Sequence, residues 1–101
     1  MQKNVSYIEY ARKYIEKYNK LAELLSMKSA VYLLLIIGDD GPVVYRKAKF
    51  ITKGEKAIKK LIEYGLVEVI YPNKYPVLDL TEKGEKFYKG LKTLYEIIEK
   101  E

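Results

Sequence analysis

Seven basic side chains crowd the 22 residues from Val43 to Tyr64: Arg46, Lys47, Lys49, Lys53, Lys56, Lys59 and Lys60. The same stretch holds two acids, Glu55 and Glu63, so it carries a net charge of +5. Elsewhere twelve bases meet twelve acids, so the chain's whole excess charge, also +5, belongs to this one segment. Clustered charge of one sign attracts a polyanion over long range and gains from release of its counterions. The competing reading is a solvated helix face, and the fold around the segment decides between them.

Other chemistries find little support. The chain has no Cys and no His, which removes disulfides, thiolate chemistry, the commonest general base and the commonest metal ligand. Ser26 and Ser29 have no base to activate them, and read as capping or packing residues. Carboxylates interleave with lysines on helical stretches, the pattern of surface ion pairs rather than of paired catalytic acids in a cleft. No enzymatic activity, cofactor or metal is expected. The longest apolar run, Ala30 to Ile37, spans 8 residues, against the ~18 that suggest a bilayer span. A cytoplasmic protein without a membrane partner is the expectation. Lysine and glutamate enrichment without cysteine matches the compositional habit of hyperthermophile proteins.

At 101 residues, 49% hydrophobic and 33% charged, the chain reads as one folded domain whose modest core invites dimerisation. Residues 4–25 read as a long amphipathic helix, with Ile8, Ala11, Ile15, Tyr18, Ala22 and Leu25 alternating spacings of three and four. Tyr7, Tyr10 and Tyr14 widen that stripe. Ser26 is placed to cap a second helix, 27–37, apolar on nearly every side and so the most buried element. Gly38 to Pro42 form a break. Pro42 suits the first turn of a short third helix, 43–49, with Val43, Val44, Ala48 and Phe50 making apolar contacts. Thr52 and Glu55 have capping-box spacing for a fourth helix ending at Gly65. On that helix Gly54, Ile58, Leu61 and Ile62 fall on one side, and Lys53, Lys56 and Lys60 opposite, with Lys59 at the edge. Two β-rich runs, 66–71 and 75–80, flank a turn at 72–74 and predict an antiparallel hairpin, with Pro76 confining the second strand to an edge. Thr81 caps a last helix to about residue 99, along which Phe87, Leu91, Leu94 and Ile98 form a second seam. The fold class is therefore mostly α with a two-stranded β-hairpin (α+β).

This order resembles the winged helix–turn–helix. Leu61-Ile62-Glu63-Tyr64-Gly65-Leu66-Val67 looks like a recognition helix running into its wing, and Leu80-Thr81-Glu82-Lys83-Gly84 like the wing's exit, as in MarR- and PadR-type regulators. The resemblance covers Ser26 to Lys86 and is shared with small DNA-binding proteins of archaea and their viruses. It implies a winged-helix core at 26–80 between long terminal helices, and double-stranded DNA as the partner. By the same resemblance the fourth helix enters the major groove, with Lys53, Lys56 and Lys60 facing DNA. Arg46, Lys47 and Lys49 would then lie across the backbone, and Thr52, Lys59 and Lys74 complete the set of contacts. The wing tip has Lys74 as its one base, so the helix should carry the main contact.

The fourth helix presents no Arg, Asn or Gln, the residues that read base edges best, so backbone-dominated contact with modest sequence discrimination is expected. The function expected is that of a dimeric transcriptional regulator. The alternatives are a nucleoid-like architectural protein and a winged-helix protein-interaction module. The seams through Ile8, Ala11, Ile15, Tyr18 and Ala22 and through Phe87, Leu91, Leu94 and Ile98 are expected to form the homodimer interface.

Overall fold

The second helix is the hub on which every other layer is built. The computed structural model describes the backbone of residues 2–100 and the side chains of residues 7–100; the two ends of the expected domain, 1 and 101, lie outside these. The chain runs α1 (Gln2–Ser26), α2 (Lys28–Asp40), β1 (Val43–Val44), α3 (Tyr45–Thr52), α4 (Lys56–Glu63), β2 (Val67–Ile70), β3 (Val77–Leu80) and α5 (Glu82–Glu99). Ala30, Leu33, Leu34 and Ile37 of α2 are buried, and α2 touches α1, α3, α4, α5 and β3. Apolar residues on all its faces make this arrangement favourable, since any face left in water would forfeit burial. Ala48, Ala57, Ile58, Leu61, Leu66, Val67, Leu78 and Leu91 close one continuous core around it.

The protein is mostly helical with a small antiparallel sheet, but that sheet has three strands rather than two, in the order β1-β3-β2. Val43 and Val44 form a strand rather than the start of a helix, pairing with Leu78 and Val77. β-Branched side chains favour this extended geometry, and α3 begins two residues later than expected. The hairpin pairs Val67 with Leu80 through Ile70 with Val77, and its loop is wider than the expected 72–74. Strand β3 is central, not an edge. Pro76 precedes it and lacks only an N–H, so its carbonyl still accepts the Tyr45 N–H at 2.9 Å.

Three helix ends differ from their sequence reading. The Ser26 hydroxyl donates to the Glu23 carbonyl at 2.7 Å and finishes α1 instead of capping α2; Met27 makes the break, and the two helices bend by 72°. Helix α2 continues through Gly38 to Asp40, and the missing side chain of Gly38 leaves room for the Tyr88 ring. Asp39 then accepts the Tyr88 hydroxyl and lies 3.4 Å from Lys92 Nζ, tying α2 to α5. Thr52 is the last residue of α3 and caps nothing. Its hydroxyl lies 3.1 Å from the Ala48 carbonyl oxygen and 2.6 Å from that of Gly54, so it serves its own helix end.

The expected end of α4 at Gly65 is observed. Gly65 has φ 74°, and the N–H groups of Gly65 and Leu66 reach the carbonyls of Ile62 and Leu61 at 2.9 Å, a Schellman ending. Thr81 caps α5 as expected, accepting the Gly84 N–H at 2.9 Å. None of the helices is both long and apolar enough to cross a membrane singly, among the described residues.

Gly84 is buried where the start of α5 packs against Leu66, between α4 and β2, and a methyl group there would run into the Leu66 carbonyl oxygen. Gly84→Ala should therefore cost about 1–3 kcal/mol, the usual toll of overpacking, read as a lowered urea midpoint with unchanged slope.

Candidate nucleic-acid interface

Helices α3 and α4 are joined by three residues, Lys53, Gly54 and Glu55, the length of a helix–turn–helix connection. The turn is another Schellman ending: the Gly54 N–H reaches the Lys49 carbonyl at 2.9 Å and the Lys53 N–H that of Phe50 at 3.3 Å. The residue that must turn left-handed is Lys53, with φ 56°, the one non-glycine at positive φ among the described residues. A side chain in this conformation costs roughly 1–2 kcal/mol that a glycine would avoid. Gly54, with φ 137°, is in the turn and not on the α4 stripe; a methyl there would meet nothing within 4 Å, so it neither packs under α2 nor is crowded.

Helix α4 buries Ala57, Ile58 and Leu61, while Ile62, expected inside, is partly exposed. Lys56 and Lys59 point outward, with Glu63 between them on the wheel. On α3, Ala48 faces the core and Arg46, Lys47 and Lys49 are exposed. Phe50, expected to pack, is 77% exposed, and Val44 is 43% exposed; both lie on the side of α3 and β1 away from α2. The expected set thus divides. Arg46, Lys47, Lys53, Lys56 and Lys59 are exposed, and Lys74 is exposed in the β2–β3 loop, 5.9 Å from the Tyr75 ring centre. Lys49 is exposed but lies 3.5 Å from Glu55. Thr52 is half-buried and internally bonded.

Lys60 departs furthest from its expected role. It sits 3.6 Å from both Glu23 of α1 and Glu63, and 5.7 Å from the centre of the Tyr64 ring. Tyr64 in turn donates to Glu23 Oε1 at 2.5 Å. Glu23 is therefore the centre of a latch between α1 and α4. The Tyr64 hydroxyl and then the Lys60 charge hold the Glu23 carboxyl below its ordinary 4.5. The same bond pushes Tyr64 up to about 12. The wheel placed Lys60 among the exposed lysines because it knew nothing of α1.

Sequence reasoning placed Tyr71 and Tyr75 beside Lys74 but missed Tyr45, Asn73 and the cleft of about 500 Å³ between the start of α3 and the β2–β3 loop. Tyr45, Asn73 and Tyr75 line it together with Arg46 and Lys49. Tyr45 donates to Glu55 Oε1 at 3.3 Å, and burial and then the Glu55 charge push its hydroxyl pKa up. Tyrosines beside a basic cluster were the available signal, but nothing local shows that the loop folds back toward α3. Among the described residues no group of three or more acids is gathered as metal ligands are.

The expected dimer seams also divide. Phe87 packs on the core and Leu91 is buried in it, because the first half of α5 crosses α2. Leu94 and Ile98 remain exposed, with Tyr95 and Ile97 beside them. Every residue of α1 from Tyr7 to Ala22 is exposed, including Ile8, Ala11, Ile15 and Tyr18, and Leu24 is its one fully buried side chain among the described residues. Tyr10 meets Tyr14 edge to face with ring centres 5.0 Å apart, and Tyr14 stacks on Tyr18 at 6.1 Å.

Comparison with known proteins finds no match to a family model, a curated protein or a solved structure.

The latch gives a pH dependence with two limits. Glu23 titrates below its ordinary value when folded, so its contribution is present above pH 4.5 and is lost as pH falls below it. Tyr64 titrates above its ordinary 10.0, so its contribution is present below pH 10 and is lost as pH rises toward 12. Urea midpoints measured across pH should fall at both ends, and Tyr64→Phe should flatten the alkaline fall.

Proposed function

We propose that this chain is a duplex-DNA-binding protein of winged helix–turn–helix design that acts as a homodimer. The observation that carries the reading is the run of exposed cations on the helix–turn–helix unit: Arg46 and Lys47 on α3, Lys53 in the turn, and Lys56 and Lys59 on α4. A three-residue turn joins the two helices, and a β2–β3 hairpin follows α4, as the wing does in that design. The strained left-handed Lys53 adds support. A position that backbone geometry assigns to glycine holds a cation, and strain of this kind gathers at functional sites.

Lysines act as point charges on phosphate oxygens, and the exposed face of α4 offers Lys56, Lys59, Ile62 and Glu63 with no bidentate base reader. Backbone-dominated contact follows. The absence of such a reader favours an architectural role over a site-specific regulator, the role that the likeness to MarR- and PadR-type proteins suggests.

Two arms support the homodimer. An isolated helix of mixed composition is marginal in water, yet α1 carries Ile8, Ala11, Ile15, Tyr18 and Ala22 at heptad spacing with no intrachain cover. The end of α5 leaves Leu94 and Ile98 in the same condition. Pairing of these seams across a two-fold axis would bury them and present two α4 helices to one duplex.

Each phosphate contact contributes about 0.9 to the slope of log affinity against log salt. Lys53→Gly, Lys56→Ala and Lys59→Ala combined should lower that slope by about 2–3 on a generic fluorescent duplex, and an unchanged slope would reject the interface. Lys53→Gly alone should weaken binding while leaving stability unchanged or raised by up to about 1 kcal/mol, whereas a structural lysine would cost stability. Light scattering at micromolar concentration should give twice the 11.8 kDa chain mass, falling to one chain in Ile15→Glu.

A further inference from the structure

The cleft between α3 and the β2–β3 loop shares Arg46 with the cationic face but adds Tyr45, Asn73 and Tyr75. We propose that it binds one nucleotide of a single-stranded nucleic acid, the base stacked on Tyr75 and the phosphate held by Arg46 and Lys49. Its volume of about 500 Å³ lies within the ~300–1,000 Å³ of small-molecule sites. Tyr75 lines the cleft and is 59% exposed, so its ring is accessible to a partner, with Lys74 Nζ 5.9 Å from the ring centre. The Asn73 side-chain oxygen Oδ1 accepts the Tyr75 backbone N–H at 3.0 Å. That bond orients the side-chain amide so that its NH₂ group is left to donate to a base edge. Arg46 and Lys49 line the cleft and Lys74 stands beside Tyr75, while the nearby Glu55 carboxylate pairs with Lys49 at 3.5 Å. The balance is positive, as a phosphate requires.

Base stacking on an aromatic side chain beside a basic groove is the mode of single-strand recognition. Bases inside a duplex are already stacked on both faces and offer a protein only their edges, so the cleft selects an unpaired base. The proposal takes its ligand class from the nucleic-acid reading above and adds a strand state that reading does not require.

The chain contains no Trp, so Tyr75→Trp would place a single indole at the stacking position. Titration with a 12-nucleotide oligothymidylate at low salt should quench it. Tyr75→Ala should lose about 5- to 150-fold in affinity for the labelled oligothymidylate, the range that stacking losses give, and leave affinity for a duplex within twofold. Lys56→Ala with Lys59→Ala should do the reverse. Duplex binding with an unquenched indole, and single-strand affinity unaffected by Tyr75→Ala, would overturn the cleft and leave the duplex reading standing. Binding of oligothymidylate alone would uphold the cleft and remove the duplex reading. Binding of neither would remove both.

Discussion

The architecture depends on burying α2. Its residues Ala30, Leu33, Leu34 and Ile37 cannot be left in water, and five other elements supply the cover. Each covering element is amphipathic, so committing one face to α2 commits the opposite face to solvent. On α3 the inward residue is Ala48 and on α4 they are Ala57, Ile58 and Leu61, which leaves the basic side chains outside. The lysine face is thus a geometric consequence of the core. Small residues at the contacts, Ala30, Ala48 and Ala57, let the three helices approach closely.

The same cover leaves two remainders. Among the described residues α1 meets the core only near Leu24, held at its end by Glu23 with Tyr64 and Lys60, and Tyr7 to Ala22 project from the body. That projection is reflected in extents of 63 × 34 × 24 Å. The last turns of α5 project likewise beyond Leu91. The latch at Glu23 also joins the projecting helix to α4 directly. In a dimer built through α1, the orientation of the lysine face would therefore be set by the contact between subunits.

Much of this was legible in the sequence, for reasons that are local. The apolar run of α2, the glycine ending of α4 and the threonine cap of α5 each declare themselves within a few residues. The Thr52–Glu55 capping box failed because Thr52 belongs to the end of α3, where its hydroxyl is engaged by the Ala48 and Gly54 carbonyls. Val43 and Val44 became a strand because β3, more than thirty residues away, offered a pairing edge. Lys60 left the exposed face, and Leu91 left the dimer seam, through contacts with α1 and α2 that no short-range periodicity records. The cleft was invisible for the same reason: Arg46 and Tyr75 are brought together by the sheet alone.

The proposed function requires the α3–turn–α4 face to meet DNA. Amide chemical shifts of the labelled protein, followed as a generic duplex is added at low salt, locate the contact surface. Shifts concentrated between Arg46 and Lys59 are expected, reversed by added salt, with the amides of α1 and the end of α5 unmoved. Shifts confined to those two arms, or none anywhere, would contradict it.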